Sequence, residues 1–194
     1  MVVYTLIFID AGFLSKLSLH FGKGKYIKFD IVKLVNIFAK NEGLINNHIF
    51  YYTAPPFISN KPNIDESRRK ENYDKFIQKL SKCKNLSVRE GRVQRVKQNS
   101  QFKFSQKGVD TLLAIDLSKI PYKFPKIKKI ILIACDSDFV PVIKDINSEG
   151  IKTILYTYFD KKRDSNFSRS NELSQNVIKQ VLIKEEDFLE AQLK

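Results

Sequence analysis

Ile130-Ile131-Leu132-Ile133-Ala134-Cys135-Asp136-Ser137-Asp138-Phe139-Val140-Pro141 passes from six apolar residues, through two aspartates, into the start of a helix. The apolar run is the pattern of a strand buried on both faces of a parallel sheet and is far too short to cross a bilayer. Phe139–Ser148 reads as a helix: proline is tolerated in its first turn, and Gly150 follows at the position where a helix commonly stops. A buried strand, a polar turn and a helix in this order form half of a βαβ unit.

The same pattern recurs outward from it. Residues 3–9 are a second continuous apolar run and end at Asp10. His48–Thr53 is a third, stopped by Pro55-Pro56, and Lys152–Tyr158 is a fourth, rich in β-branched and aromatic residues. Val88–Lys97, heavy in Arg and Lys, reads as an exposed edge strand, which would permit a homodimer. Helical patterns lie between these runs. Asp30 caps a stripe of Ile31, Leu34, Val35 and Phe38. Residues 66–81 turn Tyr73, Phe76, Ile77 and Leu80 inward, Val109–Leu117 forms another helix, residues 171–182 read as an amphipathic helix, and a short helix follows near Asp187. Strands alternating with helices predict an α/β fold, a Rossmann-like three-layer α/β/α sandwich with a mainly parallel central sheet. One domain is expected over residues 1–194, with the core sheet and its helices in 1–158 and C-terminal helices in 169–194. Ligands of such sheets bind beyond the carboxyl ends of the strands, at the point where strand order reverses.

The chain of 194 residues carries a formal net charge of +13. The surplus is concentrated: Lys61–Lys107 holds fourteen Lys or Arg against five Asp or Glu. A basic surface beside a separate acidic site points to a polyanion, most simply nucleic acid; a lysine-rich composition offers the plainer explanation. The opening residues lack a basic flank and a small-residue cleavage site, so a cytoplasmic protein with no membrane association is expected. Cys83 and Cys135 show no CxxC spacing, and His20 and His48 stand alone, which disfavours zinc and a cysteine nucleophile.

Two buried strands end in carboxylates, Asp10 and Asp136. Asp138 follows at the start of the next helix with Ser137 between, and Asp110 opens another helix after Lys107-Gly108. Several like charges in one crevice call for a counter-ion, and oxygen ligands without His or Cys favour Mg²⁺ or Mn²⁺. Asp110 and Asp138 have a competing explanation as helix N-caps. Asp116 lies six residues beyond Asp110, about 240° round an ideal helix, and ranks below the other four.

Three segments resemble the NYN domain, a branch of the PIN-like nuclease superfamily that includes LabA-like bacterial proteins. They are Phe8-Ile9-Asp10-Ala11-Gly12-Phe13-Leu14, Lys107-Gly108-Val109-Asp110 continuing to Leu113-Ala114-Ile115-Asp116, and Ala134-Cys135-Asp136-Ser137-Asp138-Phe139-Val140-Pro141. The resemblance implies a PIN-like fold and a Mg²⁺- or Mn²⁺-dependent endoribonuclease, with Asp10, Asp110, Asp136 and Asp138 as metal-binding catalytic residues. Asp116 matches a recurrent acidic position, and Ser137 would support the ligands. RNA phosphates would meet Arg89, Arg92, Arg95, Lys97 and Lys107. The chain departs from the family at Phe13, where many members carry Asn, and at Ala134-Cys135, where Ser-Gly is usual. The departure at Phe13 favours the alternative of a non-catalytic RNA-binding or scaffold protein. A small-molecule phosphohydrolase fits less well, since Ala11-Gly12 follows Asp10 where that class carries DxD.

Overall fold

The computed structural model describes residues 2–98, 101–160, 167 and 170–193; the side chains of Lys97, Gln98, Gln101 and Lys103 lie outside the described residues. In chain order the elements are β1 (Tyr4–Asp10), α1 (Ala11–Phe21), α2 (Ile31–Asn41), β2 (Ile45–Thr53), α3 (Ile64–Ser81), β3 (Leu86–Glu90), β4 (Arg92–Gln98), β5 (Gln101–Lys107) and α4 (Val109–Ser118). There follow α5 (Ile120–Lys123), β6 (Lys129–Ile133), a 3₁₀ turn (Ser137–Phe139), α6 (Val140–Ser148), β7 (Lys152–Thr157), α7 (Asn171–Gln175), β8 (Lys179–Leu182) and α8 (Glu185–Glu190).

Six strands form one sheet in the order β3-β2-β1-β6-β7-β8, every pair parallel. The order reverses between β1, which ends at Asp10, and β6, whose chain reaches Asp136 three residues after the strand ends. Side chains alternate across β1, and that alternation builds both layers. Leu6 and Phe8 pack with Leu113 and Leu117 of α4 and Ile143 and Ile146 of α6. Ile7 and Ile9 pack on the opposite face with Leu14 and Leu17 of α1, Leu34 and Phe38 of α2, and Phe188 of α8. Each such side chain contributes about 1.5–3 kcal/mol by leaving water. The result is the α/β/α sandwich that the strand–helix alternation predicts.

Three expectations are corrected. Val88–Lys97 is two elements: β3 completes the main sheet, whereas β4 leaves it and pairs antiparallel with β5 as a separate hairpin. Gly91 is the reason. Its N–H donates to the Thr53 carbonyl at 2.8 Å, and a Cβ there would lie 2.5 Å from the Lys107 carbonyl oxygen, so only glycine lets the chain turn off the sheet. Residues 171–182 are a short helix followed by strand β8, because Ile178–Leu182 gains a hydrogen-bonded place beside β7. The C-terminal segment therefore adds a strand as well as helices. Of the four side chains expected to face inward from α3, only Leu80 is buried; Phe76 is exposed and packs edge-on against Tyr51.

Both cysteines are free. His20 hydrogen-bonds the Tyr158 hydroxyl, and His48 that of Ser87. No helix among the described residues is long and apolar enough to cross a membrane.

Candidate metal centre

Asp10 closes β1, where Ile9 lies level with Ile133 of β6. One carboxylate oxygen, Oδ1, accepts hydrogen bonds from the Gly12 N–H at 2.9 Å and the Phe13 N–H at 3.2 Å, capping α1. Gly12 permits this close approach: a Cβ there would lie 3.2 Å from Asp10 Oδ1 and 3.4 Å from Gln106 Oε1. Asp136 plays the same part just beyond the neighbouring strand, its Oδ1 accepting from the Asp138 N–H at 3.0 Å and capping the 3₁₀ turn. The capping therefore falls to the two strand-end aspartates.

Asp110 and Asp138, the pair with a plain explanation as N-caps, cap nothing. The N-cap of α4 is Gly108 in the left-handed region at φ 80°, with no side-chain cap bond, and that of α6 is Phe139. Neither helix start uses these carboxylates as a cap, although that of Asp110 is partly shielded from water and accepts from its own backbone N–H.

The charges act on one another. Burial, followed by the neighbouring Asp110 charge, pushes the Asp10 carboxyl up to about 6. Asp110 is itself raised, first by burial and then by the charges of Asp136 and Asp138. Asp110 thus links the β1 and β6 carboxylates into one electrostatic group. Lys16 lowers both Asp10 and Asp110 and is a cation of this crevice. Sequence reading missed it. The available signal was helical: with Asp10 as cap, Gly12 and Lys16 fall one turn apart on a single face of α1.

With the side chains as they stand, no three acidic, His or Cys residues among the described ones converge on a common ion. The donors nevertheless suit a hard cation. All are carboxylate oxygens, and the mutual repulsion raising Asp110 is what a divalent ion would relieve.

Asp116 faces other partners. Arg89 Nε donates to its Oδ2 at 2.9 Å, Nη2 to Oδ1 at 3.4 Å, and the Tyr52 hydroxyl to Oδ2 at 3.0 Å. The Arg89 guanidinium is therefore engaged within the protein. Arg92 and Lys107 are exposed and sit opposite each other on β4 and β5. Arg95 lies over the rings of Phe57 and Phe102, at 5.0 and 4.4 Å from their centroids. The Lys97 side chain lies outside the described residues. Ser137 is exposed between Asp136 and Asp138. Phe13 turns its ring into the core, edge-on to Phe167, and gives the crevice only its backbone N–H.

The family model of the NYN domain matches residues 4–177. No curated protein matches the chain. Among solved structures it is similar to the crystal structure of a protein of unknown function from Vibrio parahaemolyticus, with a TM-score of 0.59 at 15% identity, over 99% of this chain and 97% of that one. At that identity the likeness shows the fold alone. The extent of the family match is decisive: the chain belongs to the NYN domain family.

Proposed function

We propose that this protein is a metal-dependent ribonuclease, hydrolysing RNA phosphodiester bonds at a Mg²⁺ or Mn²⁺ site held by Asp10, Asp110, Asp136 and Asp138. The observation that carries the reading is Asp110, a carboxylate that caps no helix, is raised by burial and by the charges of Asp136 and Asp138, and in turn raises Asp10. Family membership supports the same chemistry. A bound divalent ion would supply Lewis-acid stabilisation of the phosphate charge and a more acidic water.

The protein's own groups do the rest. The Gly12 and Phe13 N–H groups fix one oxygen of Asp10, and the Asp138 N–H fixes one of Asp136, so both carboxylates are preorganised by backbone. Lys16 tempers the negative field, and Ser137 offers a hydroxyl beside the ligands. Arg92, Arg95 and Lys107, on the hairpin that precedes Asp110, would meet backbone phosphates, conferring affinity without sequence information.

A non-catalytic RNA-binding role is the second reading. It is favoured by Phe13, whose ring is buried in the core and leaves the crevice without an amide at that position.

The test is incubation of the protein and of Asp136→Asn with labelled single-stranded and structured RNA, in Mn²⁺, Mg²⁺ or EDTA. Cleavage by the wild type that needs the metal and disappears in the variant is expected. Cleavage that persists in EDTA or in Asp136→Asn would sink the proposal, and binding without cleavage would favour the second reading.

A further inference from the structure

The hairpin of β4 and β5 stands apart from the main sheet, and one of its faces is unusually rich in rings. Arg95 lies opposite Phe104 and Val93 opposite Gln106 in the antiparallel register, so these four side chains, with Phe102 two residues from Phe104, share a face. Phe57 joins them from the segment after β2, 5.2 Å from Phe104 between centroids. Arg95 spans Phe57 and Phe102, holding the set together by cation–π contacts. Yet the outer rings are not covered: Phe102 is 54% and Phe104 56% exposed. A cleft of about 280 Å³ runs at the base, lined by Pro56, Phe57, Arg69, Val93, Phe104 and Gln106 among others.

The same face leads to the acidic crevice. Gln106 Oε1 lies 3.4 Å from where a Gly12 Cβ would stand, and that position is 3.2 Å from Asp10 Oδ1. Counting outward along β5 from Gln106, Phe104 and Phe102 follow at roughly 7 and 13 Å, so the rings lie in line away from the crevice. Exposed rings interleaved with arginine, on a basic arm, form a surface for stacking unpaired bases; a paired duplex cannot offer its ring faces to it.

We propose that Phe102, Phe104 and Phe57, braced by Arg95, form a stacking platform that binds unpaired nucleotides of the RNA and leads the strand into the aspartate crevice. The inference rests on the RNA reading above and adds that the substrate is single-stranded where it meets the hairpin.

The chain has no tryptophan, so Phe102→Trp installs a single indole reporter. The measurement is its emission, with fluorescence anisotropy of a labelled single-stranded oligoribonucleotide and of a blunt-ended, fully paired RNA duplex, in EDTA so that nothing is cleaved. The single strand should quench the indole and the duplex should not. Phe102→Ala with Phe104→Ala should weaken single-strand binding tenfold or more, and change duplex binding less than twofold. Phe102→Leu, which keeps apolar bulk without a ring, should also lose affinity, while Phe102→Trp keeps it. Equal losses on both RNAs, full affinity in the leucine variant, or no single-strand binding by the wild type would overturn the platform. Cleavage is scored separately in Mn²⁺. A protein that binds but never cleaves loses the nuclease reading and keeps the platform; one that cleaves with no effect of Phe102 or Phe104 loses only the platform.

Discussion

Arg89, near the carboxyl end of edge strand β3, and Asp116 form an ion pair, 2.9 Å from Nε to Oδ2, and the Tyr52 hydroxyl donates to the same carboxylate oxygen at 3.0 Å. The Asp116 side chain is only 12% exposed. Removing it strands a guanidinium and a phenol together, so Asp116→Ala should cost on the order of 1–3 kcal/mol in urea unfolding. Mn²⁺ affinity should stay as it was. Unchanged stability combined with lost metal affinity would instead make Asp116 a ligand.

Asp10 gives the fold a pH dependence of definite sign. Its carboxyl titrates at about 6 in the folded chain, against roughly 3.9 when unfolded. Between those values the native state holds the extra proton, so the Asp10 contribution to stability is full below about pH 4 and is lost as pH rises towards 6. Asp10→Asn keeps an oxygen for the Gly12 and Phe13 N–H groups and removes the titration. The variant should therefore gain on the wild type across this window, by up to about 3 kcal/mol at pH 7. Parallel stability-versus-pH curves would contradict it.

Phe13→Asn restores the residue many NYN domains carry, but here it should not produce a better enzyme. The ring is 3% exposed and packs against Phe167. Its replacement leaves a void and a buried amide, at a cost of about 3 kcal/mol or more. Unfolding at wild-type denaturant concentrations would show that the ring is not a core element.

Phosphate contacts on the hairpin are separable from the ion pair beside it. Replacing Arg92 and Lys107 with Ala should flatten the salt dependence of single-stranded RNA binding by about 0.7 in log–log slope per contact. Arg89→Ala should leave that slope alone, since its guanidinium already serves Asp116. A slope that falls with Arg89 rather than with the other two would reverse the assignment.

Most of the sandwich was legible because its signals are local. The continuous apolar runs at residues 3–9 and 130–135 became β1 and β6 within one or two residues, and the sheet rule placed Asp10 and Asp136 at the reversal of strand order. The misreadings arose where a distant partner decides. Basic residues recur at Arg89, Arg92, Arg95 and Lys97 with no local break, and only the close approach of Gly91 to Lys107, sixteen positions away, separates sheet from hairpin. Ile178–Leu182 fits a helical stripe until β7 offers an edge. The Arg89–Asp116 pair spans 27 residues and has no local signature. Lys16 was hidden for a different reason, being a single lysine among many whose relevance follows only once Asp10 is known to cap α1.

In the proposed site Asp110 joins Asp10 and Asp136 in holding a divalent ion. Mn²⁺ binding by the wild type, Asp110→Asn and Asp116→Asn can be followed by loss of the free-ion signal in electron paramagnetic resonance. Saturable binding is expected of the wild type and Asp116→Asn, with a loss of affinity of tenfold or more in Asp110→Asn. Equal binding by all three proteins, or none by the wild type, would contradict this site.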